Sequence, residues 1–311
     1  MRMLLQILLA AVVSTAVGIT PVRAQTPVDE SGQTFRSSAD LVSIQTSVRD
    51  KRGRPMTGLT SADFEVRDNG QLKPILSLRS DRQSAVSVAV LVDTSGSMGV
   101  ASKMAMAREA FETLLRQLRD GVDEIALFTF DSSLHERQPF TSRLADLEDA
   151  LDDFPSFGAT SLYDATAATA QHLAARSAGH KAIIILTDGV DTSSTLTAPQ
   201  VSGLASSIDV PVYIVATVPA LDQTAMTQAD DRPLASDGAD LRHLAEWTGG
   251  RLAFASSLLD TVVVTSSLLN ELRQQYVLAI QAATVQEWRR LEVKVKDRSA
   301  TVKARSGYFG G

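Results

Sequence analysis

The run Val86-Ser87-Val88-Ala89-Val90-Leu91-Val92 is apolar almost without interruption, and it stops at Asp93-Thr94-Ser95-Gly96-Ser97-Met98-Gly99. A strand covered by helices on both faces has this composition, because neither side of its pleat meets water. Working outward, Phe111, Leu114, Leu115 and Leu118 fall at i, i+3, i+4 and i+7, which puts one apolar stripe on a helix over about 101–119. Strands are predicted at 124–130, 181–187, 211–218 and 251–255, and helices at about 141–153, 161–176, 197–207, 238–248 and 257–273. Strands that alternate with helices imply a doubly wound, mostly parallel sheet, so residues 84–273 read as an α/β domain. Residues 221–240 are polar and aperiodic, a loop that is either a mobile surface insertion or a functional element.

The flanks have a different period. Leu41, Ser43, Ile44, Thr46 and Val48 read as a strand, and Asp68-Asn69-Gly70 is hairpin chemistry between strands at 64–67 and 73–78. After Gln275, strands are expected at 276–280, at Leu291, Val293 and Val295, and at 301–305. Neither segment is long enough to bury a comfortable core alone. Residues 38–83 and 274–311 are therefore expected to pair into one smaller β-rich domain, with the α/β domain inserted between them.

At the N-terminus, Arg2 precedes an apolar run from Met3 to about Ile19, and small residues stand at Val22 and Ala24. That is a secretory signal peptide pattern over 1–24, followed by a polar, flexible stretch over 25–37. An uncleaved N-terminal anchor is the alternative reading of the same run. No other stretch has membrane-spanning length. The 311 residues contain no cysteine, which excludes disulfides, zinc–thiolate sites and a cysteine nucleophile. An exported chain without cysteine fits a bacterial periplasm or exterior. A net charge of −6 with no basic block argues against nucleic acid as a partner.

In a parallel sheet, ligands bind beyond the carboxyl ends of the strands. Three loops are expected there: Asp93 to Gly99, Gly158-Ala159-Thr160-Ser161, and Thr187-Asp188-Gly189. Together they supply Asp93, Ser95, Ser97, Thr160 and Asp188, which are oxygen donors only. Such a set suits a hard cation, Mg²⁺ or else Mn²⁺ or Ca²⁺, better than zinc or copper. With so little negative charge in contact, the ion would stay electrophilic and attract a carboxylate.

Asp93-x-Ser95-x-Ser97, with Thr160 in Gly-Ala-Thr and Asp188 in Thr-Asp-Gly, resembles the metal-ion-dependent adhesion site of von Willebrand factor A domains, in the family's order. The resemblance covers about 84–273 and implies a Rossmann-like fold. It further implies that Ser95, Ser97 and Thr160 contact the metal directly, and that the two aspartates act directly or through water. A partner's Asp or Glu then often completes the shell. The flanks, Val48 to Gly53, Leu59 to Val66, Tyr276-Val-Leu and Ser306-Gly-Tyr-Phe, resemble exported bacterial proteins related to the same family, a likeness that implies no known activity.

Catalysis fits poorly. Asp93-Thr94-Ser95-Gly96 displaces the glycine an aspartic protease needs, and no second acid or positioned lysine stands in the 91–99 run for phosphoryl transfer or a Mg-dependent hydrolase. His135, His172, His180 and His243 have neither metal nor triad spacing. The chain is expected to be an exported binding protein that engages a protein or acidic ligand through a carboxylate. A structural or assembly scaffold in the cell envelope is the alternative. The sequence assigns no oligomeric state.

Overall fold

The computed structural model describes residues 41–310 apart from 81, 101, 148–149, 151–155, 178, 190, 208 and 219–235. The expected signal peptide over 1–24, the stretch 25–37 and most of the 221–240 loop lie outside the described residues. Residues Ala39–Gly311 form one compact unit.

A six-stranded sheet organises the α/β part. Its strands are β5 (Val86–Asp93), β6 (Glu124–Phe130), β7 (Leu134–Thr141), β8 (His180–Thr187), β9 (Val212–Thr217) and β10 (Arg251–Ala255), in the order β10-β9-β8-β5-β6-β7. All neighbours are parallel except β6 and β7. Every residue of β5 is buried, and the alternation of its side chains explains why. Val86, Val88, Val90 and Val92 pack on one face against α1 (Lys103–Gln117) and α5 (Leu258–Arg273). Ala89 and Leu91 pack on the other against α2 (Leu162–Ala174), α3 (Ala198–Ser207) and α4 (Ser236–Trp247).

Two expectations need correction here. Only a short 3-10 turn, Leu144–Leu147, is found among the described residues of the stretch predicted as a helix at 141–153. Ahead of it the chain forms β7, an antiparallel edge strand that the sequence reading left out. Its residues LHERQPFT are mostly polar, with only Leu134 and Phe140 packed on the core, and include Pro139, a combination tolerated at a sheet edge, and its pairing with β6 is broken by register shifts. The chain is also already helical from Ser236, inside the stretch read as a loop.

The terminal segments pair with each other. β1 (Leu41–Arg49) lies between β11 (Tyr276–Gln281) and β13 (Thr301–Ala304), and β4 (Ser77–Arg79) adds to β11. In a second four-stranded sheet β12 (Trp288–Val295) joins β2 (Phe64–Asp68) to β14 (Gly307–Phe309), with β3 (Gln71–Lys73) at the edge. The strand expected at 73–78 is thus two short strands, β3 and β4, in different sheets. Ile44, Val48, Phe64, Val66, Leu278, Ile280, Leu291 and Tyr308, drawn from both sheets, share one apolar core.

Polar contacts fasten the β-rich part to the α/β part. Buried Glu271 of α5 accepts from Arg49 at 2.7 Å and from Ser47 at 3.3 Å. Gln45 donates to the Asp209 carbonyl at 2.7 Å, and the Arg305 guanidinium donates to the carbonyls of Ser206 and Ser43. Among the described residues no helix is long and apolar enough to cross a membrane.

Candidate metal centre

From β5 the chain crosses to β6 on one side and later returns to pair as β8 on the other, so the strand order reverses around β5. Beyond the carboxyl ends of such strands the loops diverge and leave a crevice. Asp93 is the last residue of β5 and Thr187 the last of β8. Ser95 caps the 3-10 turn Gly96–Gly99 that follows β5, and Ser161 precedes α2. Backbone bonds join the two loops: Gly96 N–H donates to the Gly158 carbonyl at 3.2 Å, and Phe157 N–H to the Thr94 carbonyl at 3.1 Å. Gly158 makes this possible at φ +91°, a conformation that glycine adopts without strain.

Asp93 is fully buried, and both its oxygens are used. Oδ1 accepts the Ser95 N–H at 2.8 Å, and Oδ2 accepts the Thr187 hydroxyl at 2.6 Å. Ser95 is buried and Ser97 exposed, with their hydroxyl oxygens 3.1 Å apart. Thr160 is buried; its N–H donates to the Thr192 hydroxyl at 2.9 Å, and its carbonyl accepts from the N–H groups of Thr192 and Ser193. The loop that carries Thr160 is therefore held both to the turn after β5 and to the segment after Asp188. On Asp188, Oδ2 accepts from the Lys103 ammonium at 2.8 Å, while Oδ1 is buried without a hydrogen-bond partner among the described residues.

Burial is the largest influence on the Asp93 carboxyl and pushes its pKa up from the usual carboxylate value. The bonds from Thr187 and Ser95 oppose that shift, and the charge of Asp188 adds to it. Asp93 thus carries a charge that hydroxyls and an amide only partly offset. The Asp188 charge acts unfavourably on Asp93, and the one ammonium at hand pairs with Asp188 and not with Asp93, an arrangement that favours an added cation. No cluster of three or more His, Asp or Glu suited to a metal ion occurs among the described residues, so an ion here has to draw on hydroxyls. The donor set fits a hard, oxygen-seeking cation, and the unpartnered Asp188 Oδ1 is a free acceptor for it or for one of its waters.

The four histidines lie apart from this chemistry. His135 approaches Asp131 and His172 approaches Glu136, each at 3.7 Å, His243 stacks on Trp247, and His180 begins β8. Two residues of the centre were not picked out from the sequence. Thr187, which orients Asp93, looks like one more inward position of a buried strand. Lys103 does carry a signal, because a cation in the first turn of α1 opposes the helix dipole and calls for a nearby acid.

Residues 88–190 match the von Willebrand factor type A domain family, and this span holds β8, all but the first two residues of β5, and all five candidate residues. No curated protein matches the sequence. Among solved structures, proximal thread matrix protein 1 from the mussel byssus, with a zinc-occupied MIDAS motif, is 14% identical at a TM-score of 0.51, covering 66% of this chain and 49% of its own. The chain thus corresponds to about half of that mussel protein. The conserved hypothetical protein BatB from Bacteroides thetaiotaomicron is 16% identical at a TM-score of 0.47, over 60% of this chain and 98% of its own. The vWF domain of the type V pili tip protein Mfa5 from Porphyromonas gingivalis is 24% identical at a TM-score of 0.31, over 35% of this chain and 40% of its own. The match places a von Willebrand factor type A domain over residues 88–190, the part of the chain that carries the central strands of the six-stranded sheet.

Proposed function

We propose that Asp93, Ser95, Ser97, Thr160 and Asp188 hold one divalent cation of the Mg²⁺ type, with Mn²⁺ or Ca²⁺ as substitutes, and that the protein binds a partner's carboxylate there. The observation that carries this reading is a buried, under-compensated Asp93 under the influence of Asp188, one of whose oxygens has no hydrogen-bond partner among the described residues, on a rim otherwise built of hydroxyls. A bound ion would supply an electrophilic coordination position for an incoming acid. The chain's own residues do the rest. Thr187 and the Ser95 amide orient Asp93, and the two backbone bonds between the loops keep the hydroxyls of Ser95 and Ser97 beside the segment that bears Thr160.

The rim also has apolar shoulders. Phe157 and Val100 are 61% and 59% exposed, one on each loop beside the centre. A protein segment presenting Asp or Glu next to an apolar side chain satisfies both features. Zinc at the MIDAS motif of the mussel protein supports a divalent ion at this place in the fold. The Arg2 to Ala24 pattern supports export to a bacterial periplasm or exterior. In this reading residues 84–273 are the binding domain, and 38–83 with 274–311 form the β-rich domain that carries it.

The test is capture from an envelope extract on the immobilised full chain in Mg²⁺. Partners should elute with EDTA and be absent from the Asp93→Ala chain. Capture that EDTA and Asp93→Ala leave unchanged would reject the metal-dependent reading in favour of an assembly scaffold.

A further inference from the structure

Lys103 opens α1, where the helix dipole disfavours a positive charge, and no acidic residue of the first turn balances it. Its ammonium nonetheless has two acceptors. It lies 2.8 Å from Asp188 Oδ2 and 3.3 Å from the Ser97 carbonyl, with the side chain 16% exposed and that of Asp188 6% exposed. One lysine therefore bridges the turn after β5 and the loop after β8, the two loops that supply four of the five candidate donors. Asp93, by contrast, forms no ion pair among the described residues.

A lysine so placed does what a bound cation does: it neutralises Asp188 and ties the two loops together. It also competes for the same negative potential. An ammonium is a compact point charge on a flexible four-carbon stem, able to swing out into solvent without backbone movement. We propose that Lys103 is a tethered counter-ion that holds Asp188 in the metal-free protein and must release it when a divalent ion binds, so that it sets the metal affinity of the centre. This rests on the metal-dependent reading above. Lys103 is thus a positioning residue that lowers metal affinity and keeps the rim assembled when the ion is absent.

Calorimetric titration of the full chain with Mg²⁺ and Mn²⁺ tests it, comparing the unmodified protein with Lys103→Met, Lys103→Arg and Asp93→Ala. Lys103→Met should bind about tenfold more tightly, the scale of one half-buried ion pair. Lys103→Arg should stay near the unmodified affinity. In EDTA, Lys103→Met should melt at a lower temperature and gain more from Mg²⁺ than the unmodified protein does.

A Lys103→Met affinity equal to or weaker than the unmodified one overturns the competition. Binding by the unmodified chain that Asp93→Ala abolishes upholds the metal site whatever Lys103 does. No ion uptake by any folded variant removes the metal site and the competition together. Amine acylation of the unmodified protein, read by mass spectrometry, gives an answer that depends on no variant folding. Lys103 should be protected in EDTA and become reactive in Mg²⁺, relative to the other lysines, and unchanged reactivity would contradict its release.

Discussion

Asp93 and Asp123 are both fully buried, at opposite ends of the same sheet, and their surroundings could hardly differ more. Asp123 precedes β6, at the amino ends of the parallel strands, and is saturated. Its oxygens accept from the Arg119 guanidinium at 2.7 and 3.1 Å, from Arg273 at 2.6 Å, and from the N–H groups of Arg119 at 2.7 Å and Val86 at 3.1 Å. Burial pushes its carboxyl up, but the two arginines and two amides outweigh burial and hold it far below the usual carboxylate range. Asp93, at the carboxyl ends, meets only neutral donors, the Thr187 and Ser95 hydroxyls and the Ser95 amide, and its carboxyl moves the other way. The contrast separates two uses of a buried acid. Where arginines close around it, the acid is structural and has no capacity left for a ligand, whereas an acid given only neutral donors is stable in its charged form once a cation arrives.

The largest expected effect is at the saturated end. Asp123→Ala leaves two arginines facing each other and should cost about 3 kcal/mol, the lower part of the range for breaking a buried pair, because Arg119 keeps contact with water. Urea melts with and without Mg²⁺ should show the same loss. Because the folded carboxyl titrates below its unfolded value, its stabilisation is present in full above the ordinary carboxylate range and disappears as pH falls below about 4. The stabilities of Asp123→Ala and the unmodified protein should therefore converge in acid. A loss under about 1 kcal/mol at pH 7 would show that saturation contributes little.

At the open end the sign of the stability change reverses. Asp93→Asn keeps an oxygen for the Ser95 N–H and removes a charge that burial disfavours, so in EDTA the variant should be as stable as the unmodified protein or more so. Mg²⁺ affinity should fall by more than about a hundredfold, beyond the 10–100-fold typical of groups that only support a ligand. A variant that unfolds in EDTA as Asp123→Ala does would make Asp93 a second structural acid and erase the distinction.

How much of this was legible in the sequence follows from what local pattern encodes. The continuous run Val86–Val92 announced a strand buried on both faces, and alternation in the flanks announced strands covered on one. Asp93, Ser95, Ser97, Thr160 and Asp188 were readable as candidates because they stand in short loops just after, or leading into, predicted elements. β7 was not readable, since a polar edge strand containing Pro139 carries neither a helical nor a strand period. The closure of Arg119 and Arg273 around Asp123 was hidden because two of the three residues lie 150 positions apart and no motif joins them. The Lys103–Asp188 contact, 85 positions apart, was hidden for the same reason.

Thr187 gives the smallest and most discriminating test of the comparison. Its hydroxyl donates to Asp93 Oδ2 at 2.6 Å and accepts the Gly189 N–H at 3.0 Å, so it fixes the carboxylate plane and the start of the Asp188 loop at once. Thr187→Val preserves shape and β-branching and removes both bonds. In EDTA the loss should be about 1 kcal/mol, the net worth of a buried hydrogen bond. Mg²⁺ affinity should fall about tenfold, because an unguided carboxylate loses orientation but not charge. Should Thr187→Val leave calorimetric affinity untouched while Asp93→Asn abolishes it, Asp93 would be acting through charge alone. Should both variants be equally inactive, orientation by the β8 terminus is as necessary as the carboxylate itself, and the crevice between β5 and β8 works as one preorganised unit.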